Sequence, residues 1–319
     1  MKKLVALIIL ISSSEHCVSQ SAPSQGWVDS LYTDLMSKGI SDSTWIAIKP
    51  LLVFDNRVNS LDKAQPEFTQ NLTSYLSSRI TDSRIEYAKQ MLKRHESLLD
   101  SIELEFNVPR ELIVSLWGLE SDFGRFQGNF NIITSLTSLA TGRRGTYFRN
   151  ELLEAIVFFE DGNYTPDNFL GSWAGAIGQC QFMPWNARKY GIDYDRDGIV
   201  DLKNSTTDAL ASIGNFVKSL GWNNRFIWGR RVLLSETIES SLLDGKTRHL
   251  LSMWEKLGVR RINGDSLPVV DIKAALLKPK RSGGRIYLIY SNFDVIMKWN
   301  RSHYFALTVG TLADKLKYK

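Results

Sequence analysis

Residues 109–124, Pro109-Arg-Glu-Leu-Ile-Val-Ser-Leu-Trp-Gly-Leu-Glu-Ser-Asp-Phe-Gly124, decide how the chain reads. Leu112, Ile113, Leu116 and Trp117 recur at helical spacing, which predicts a helix over 109–121 with one apolar face. Pro109 suits its first turn, where no N–H is needed, and Gly124 suits its stop. Glu120 comes four residues after Leu116 and three after Trp117, so it falls on that apolar face. Asp122 points about 200° away around a helix of ~100° per residue. A carboxyl held among Leu, Ile and Trp has its charged form disfavoured, so it can keep a proton near neutral pH and donate it. The alternative is an acid salt-bridged at a helix end.

Upstream, helical periodicity runs from Phe68 to Ile80 and again, as one long helix, from Ser83 to Phe106; a short helix from Ser24 or Gly26 precedes them. Downstream, helices are expected at 132–140, 147–160 and 208–220. After Arg231 the pattern changes. Residues 232–234, 269–272 and 285–290 read as short strands, 254–257 as a short helix, and 293–299 and 304–318 as closing helices. The expected fold is mainly α (α+β), a helical body with a small late β element.

Two loops stand out. In 171–184, Gly-Ser-Trp-Ala-Gly-Ala-Ile-Gly-Gln-Cys-Gln-Phe-Met-Pro, the glycines and alanines permit close backbone approach. Trp173, Gln179 and Gln181 can then stack on and hydrogen-bond a ligand, or the small residues can serve a tight helix crossing. No Gly-Lys-Ser/Thr end is present, so it is not a phosphate loop. In 193–201, Asp193, Asp195 and Asp197 take positions 1, 3 and 5 of a calcium loop, Gly198 position 6, the Ile199 carbonyl position 7 and Asp201 position 9. Position 12 is Asn204 rather than Glu, and Asp208 is the candidate for the missing ligand through a longer loop. The competing reading is a turn whose carboxylates cap the next helix. Arg143 and Arg144 have the fork geometry to bind carboxylates, or they form a solvated helix end.

Composition narrows the class. The 319 residues are 43% hydrophobic and 23% charged, ordinary for a globular protein, with nine Trp and eleven Tyr. The formal charge of +5 comes without the dense basic run of a nucleic-acid binder. Lys2-Lys3 followed by the apolar run 4–11 reads as an export signal over 1–21, and eight apolar residues cannot span a bilayer. Residues 14–16 lack the small apolar residues of a lipoprotein signal, so lipid attachment at Cys17 is not expected. With the signal removed only Cys180 remains, which rules out an internal disulfide and a cysteine metal site. The mature chain is expected to be a periplasmic monomer with no transmembrane segment.

With these stretches in place, the chain resembles the B-type lytic murein transglycosylases, glycoside hydrolase family 103. The resemblance rests on residues 114–124, Arg143-Arg144 with 147–152, 171–184, 193–198, 208–212, Gly221-Trp222, 291–293, and 299–302 with 304–307, all in the family's order. It implies a lysozyme-like core over about 107–230, flanked by helical and small β parts, and a peptidoglycan glycan strand as substrate. It assigns Glu120 as the single catalytic acid/base. It implies that Gln181, Arg143, Arg144, Asn300 and Tyr304 contact the glycan strand, and Trp173 is expected to join them from the 171–184 loop. Asp193, Asp195, Asp197, Ile199 and Asp208 form a metal site, where calcium has a structural and not a chemical role. Trp299 stands where the family usually has Tyr. Ordinary glycosidases need two carboxylates about 5–9.5 Å apart; Glu120 has no acid at i+3 or i+4. That suits a mechanism in which the substrate's N-acetyl group assists and a 1,6-anhydro end forms. A hydrolytic muramidase, a wall-binding protein without catalysis and a calcium-sensing interaction protein are the rivals. Partners within the cell-wall machinery are compatible with all of these but not specified by any motif.

Overall fold

In the computed structural model, which describes residues 21–63, 70–162 and 164–317, the chain opens with α1 (Gln25–Ser37), α2 (Asp42–Ile48), α3 (Asn56–Lys63), α4 (Leu72–Arg79) and α5 (Asp82–Arg94). Ser24, Ser41, Asn71 and Thr81 start four of these, each side-chain oxygen accepting the N–H three residues on. Residues 1–20 of the expected export signal, and the expected helix ends at Phe68 and Tyr318, lie outside the described residues. Among the described residues, no helix is long and apolar enough to cross a membrane.

The helix expected over 83–106 is two helices. His95 leaves helical geometry at φ −108° and ψ 24°, and α6 (Glu96–Phe106) starts anew after it. The His95 ring meets Trp117 edge-on at 5.7 Å, so the break lets the chain pack around the next helix. Asn107, in the left-handed region, ends α6, and α7 (Arg110–Ser121) follows. Pro109 stands just outside its first turn as the cap residue, and Asp122 at φ 52° stops it. α7 is the axis of the molecule. Leu112, Ile113, Val114, Leu116, Trp117 and even Ser115 and Gly118 are buried, because other helices surround it on most sides.

The strand β1 (Phe130–Asn131), α8 (Ile132–Ala140) and α9 (Gly145–Asp161) come next, then β2 (Leu170–Gly171), α10 (Pro184–Tyr190) and α11 (Thr206–Ser219). β1 and β2 pair antiparallel, Phe130 opposite Gly171, which ties the glycine-rich loop to the start of α8. No helix crosses within 172–183. The loop folds on itself through an Ile177–Phe182 bridge, with Gly175 and Gly178 at positive φ.

The late β element comprises β3 (Gly229–Leu234), β4 (Asp244–Leu250), α12 (Leu251–Lys256), β5 (Val259–Arg261), β6 (Lys273–Leu277) and β7 (Ile286–Ile289). The sheet is antiparallel in the order β4-β6-β7-β3-β5. The strand expected at 269–272 is displaced to 273–277; Val269 is fully exposed, while Ala274 to Leu277 are buried. β4 was not expected, because Asp244-Gly-Lys-Thr-Arg-His carries no apolar alternation. One sheet face, through Leu277, Tyr287 and Ile289, joins the main core; the other holds a second core of Val232, Leu251, Trp254, Ala274, Leu276 and Leu288. α13 (Ser291–Trp299) and α14 (His303–Lys317) return to the body, where α14 packs on α7.

Candidate active site

Glu120 lies in the last turn of α7, half-buried. Its Oε1 accepts a hydrogen bond from Trp299 Nε1 at 2.7 Å. The Trp299 ring is fixed by Phe182 at 5.4 Å and Phe216 at 5.2 Å, and Tyr190 stacks on Phe216 at 4.5 Å. Four segments, namely α7, the 172–183 loop, α11 and the end of α13, therefore meet at one carboxyl. Asp122 is turned to another side, where Arg84 at 3.2 Å and Arg125 at 2.5 Å neutralise it.

The loop that carries Gln179, Cys180 and Gln181 braces the end of α7. Gln179 is buried; its Oε1 accepts from Trp117 Nε1 at 3.0 Å, and its carbonyl accepts from Ser121 Oγ at 2.6 Å. It clamps the end of α7 and does not face a ligand, which corrects the expectation for that residue. Gln181 adopts φ 51° and donates through Nε2 to the carbonyls of Gln127 at 3.1 Å and Gly178 at 2.9 Å. Cys180 is fully buried against the Ala209 carbonyl; burial, then the charge of Glu120, push its thiol well above the usual range, so it is inert. Trp173 is half-buried and packs on the main core.

A cleft of about 640 Å³ is lined by Arg144, Asn300 and Tyr304, three of the expected groove residues; Asn300 follows Trp299 in the chain, but neither Trp299 nor Glu120 is in the lining. Arg144 pairs with Asp62 at 2.8 Å and lies over the Phe148 ring. The Tyr304 hydroxyl donates to the Lys280 carbonyl at 2.6 Å, and its ring meets Tyr75 edge-on at 5.3 Å. Asn300 Oδ1 accepts from the Ser302 N–H. Lys278, Lys280 and Arg301 add positive charge, with Asp244 as the one acid in the lining. Arg143 is exposed and, like Gln181 and Trp173, is not part of that lining. Sequence reasoning did not find the two lysines, because the strand before them was misplaced. The indole–carboxyl bond had only the odd Trp at 299 as its signal.

Residues 23–314 match the family described as the Transglycosylase SLT domain. The chain belongs to that family. Among its relatives, membrane-bound lytic murein transglycosylase B of Escherichia coli (strain K12) is 28% identical over 244 residues, 75% of this chain. The chain spans 65% of the length of that relative. SltB3 from Pseudomonas aeruginosa, crystallised in complex with NAG-anhNAM-pentapeptide, superposes with a TM-score of 0.86 at 35% identity, covering 92% of this chain and 79% of that one. The Escherichia coli lytic transglycosylase Slt35 in complex with calcium has a TM-score of 0.80 over 96% of this chain and 98% of that one; at 24% identity this likeness concerns the fold.

In this SLT-family chain the 193–201 loop gathers Asp193, Asp195 and Asp197, one carboxylate oxygen of each lying within 4.8 Å of the others. Gly198, at φ 95°, makes the sharp turn at position 6. Asp193 accepts the N–H groups of Asp197 and Gly198, and Asp197 accepts that of Ile199 at 2.9 Å. Asp208, expected as a further ligand, is not in the trio. It is buried, and its oxygens accept the N–H groups of Tyr194 at 2.8 Å and Asp201 at 2.9 Å. Burial pushes its carboxyl up, and those backbone donors pull it down. Its evident role is to hold the two arms of the loop together. Three clustered hard oxygens suit a calcium-type cation.

Proposed function

We propose that the protein is a peptidoglycan lytic transglycosylase that cleaves between N-acetylmuramic acid and N-acetylglucosamine. The observation that carries this reading is a single carboxyl, Glu120, oriented by Trp299, whose sequence neighbour Asn300 lines a cleft with Arg144 and Tyr304, while Asp122 is neutralised elsewhere. Family membership and the NAG-anhNAM-pentapeptide in the SltB3 crystals support the choice of substrate and product. Protonated Glu120 donates to the glycosidic oxygen as the bond to the muramyl anomeric carbon breaks. The 2-acetamido carbonyl of the muramyl residue stabilises the charge that develops there. Glu120, now a carboxylate, takes the proton of the muramyl C6 hydroxyl, whose oxygen bonds to the anomeric carbon. Glu120 ends protonated and no water is consumed. Arg144, Asn300 and Tyr304 line the cleft along which the strand lies, Arg143, Gln181 and Trp173 are proposed to contact the strand outside that lining, and its cationic walls suit the carboxylates of stem peptides.

Glu120→Gln removes the proton and is expected to abolish release of soluble fragments from purified sacculi while binding to them persists; full activity in that variant ends the proposal. Mass spectrometry of wild-type products separates the hydrolytic alternative, since anhydro and reducing ends differ by one water.

Asp193, Asp195 and Asp197, with the Ile199 carbonyl, are the residues to hold a calcium ion. Its contribution is to stiffen the loop that runs into α11 and stands behind Gln179. Chelation with EDTA is expected to lower the melting temperature and calcium to restore it, with Asp195→Asn insensitive to both. Export by the N-terminal signal brings the chain to its polymer in the periplasm.

A further inference from the structure

The outer face of the sheet carries a second cluster of polar groups. In the ladders Arg230 stands opposite Leu288, and Arg261 opposite Val232. Residues two apart on a strand, and residues opposite in a ladder, share a face. Arg230 and Arg261 are thus diagonal neighbours on the face that holds Val232 and Leu288. Tyr290, two residues beyond Leu288 and only 3% exposed, belongs to the same core, and the Arg230 guanidinium carbon is 5.9 Å from its ring centre. Burial pushes its phenol up; the charge and side-chain hydrogen bonding of Arg230, and then the charge of Arg261, pull it down by less.

These groups are donors without acceptors. Arg230 Nε and Arg261 Nε are buried with no acceptor in the protein, and the Tyr290 hydroxyl, which the Arg230 side chain approaches, has no acceptor for its own proton. The neighbouring arginines are paired: Arg260 with Glu255 at 3.3 Å and Arg248 with Asp294 at 2.6 Å. Among the described residues, Arg230 and Arg261 form no ion pair. Asp314, an acid that feels Arg230, accepts from Trp228 Nε1 at 3.0 Å. Unpaired buried donors are costly, and two guanidinium forks beside a phenol match a group that only accepts. Both arginines are half-buried, so the site stays open to solvent.

We infer that Arg230, Arg261 and Tyr290 form a binding site for a small oxyanion, a carboxylate or a phosphate. It lies on the opposite face of the sheet from the cleft, whose sheet residue Leu277 belongs to the main core. It is therefore independent of Glu120 and of the glycan reading.

The test is thermal denaturation of the full chain in inorganic phosphate, in acetate and in chloride at matched ionic strength. A saturable rise with phosphate, with acetate or with both, beyond chloride, is expected. Phosphate alone identifies a phosphoryl ligand, and acetate alone a carboxylate such as a peptide terminus. Tyr290→Phe and Arg230→Gln are each expected to weaken the effect about tenfold, and Arg231→Gln, on the other face of β3, to leave it unchanged. Tyr290→Phe keeps the ring packing and decides the matter if Arg230→Gln does not fold. In chloride it should melt higher than wild type, because a buried hydroxyl proton without an acceptor is gone, and the gap should close in the effective anion. No rise beyond chloride with either anion, or an equal rise in all variants, overturns the site.

Discussion

Trp299 offers Glu120 a donor and nothing else. An indole N–H cannot accept, so Oε1 is held as an acceptor and a proton on the carboxyl belongs on Oε2. A tyrosine at that position could both give and take. Trp299→Phe keeps contact with Phe182 and Phe216 but removes the donor. Hydrogen bonds to charged groups are worth roughly 1.5–3 kcal/mol, so kcat/KM on sacculi is expected to fall by about tenfold to a hundredfold. The melting temperature should move little, and Trp299→Tyr should recover part of the rate. An unchanged rate in Trp299→Phe makes the indole mere packing. At this scale the sequence was readable where one face of one helix decides: Glu120 follows from the spacing of Leu116 and Trp117. It was unreadable where partners are far apart, as with Glu120 and Trp299, 179 positions apart in the sequence.

Among the elements, the glycine-rich loop and the aspartate loop act as one. The Gln179 N–H donates to the Leu202 carbonyl at 2.8 Å, and a Cβ on Gly178 would lie 2.2 Å from that same carbonyl oxygen. With φ at 64°, Gly178→Ala suffers both backbone strain and a clash, and is expected to lose about 2–5 kcal/mol in urea unfolding. Gly198→Ala is the contrast. Its φ is also positive, yet nothing stands within 4 Å, so it should lose only about 1–2 kcal/mol. Equal losses refute the role given to the Leu202 contact. The helices were legible because cap residues and 3.6-residue spacing are local: the start at Ser24 and the span 132–140 stand as read. The sheet was less so. β4 is polar, and β6 is a short run of Ala and Leu that periodicity cannot assign. Spacing could not tell that Asp208 accepts the N–H groups of Tyr194 and Asp201 and stands apart from the trio of Asp193, Asp195 and Asp197.

Across the whole molecule several acids lose part of their hydration, Glu151 most fully. Burial raises the carboxyls of Glu103, Glu151, Asp294 and Asp314. Glu151, 7% exposed, accepts the Trp185 N–H at 3.0 Å, which pulls the other way but by less than burial. A raised folded pKa means that the folded state holds the proton more tightly than the unfolded one. The stability this contributes is full below the ordinary value of 4.5 and is lost as pH rises through the folded pKa. Glu151→Gln keeps an acceptor for Trp185 and does not titrate. Its melting temperature should exceed that of wild type at pH 7, with the gap narrowing toward pH 4; parallel curves refute the assignment.

The bond from Trp299 to Glu120 also has a consequence for biogenesis. A growing chain exposes the acid well before its donor, which lies within the last tenth of the polypeptide and reaches α7 only when α13 and α14 dock. Synthesis from the N-terminus therefore yields the carboxyl first and the oriented carboxyl last. The carboxyl and its donor are thus assembled from the two ends of the catalytic body, and only the complete chain brings them together.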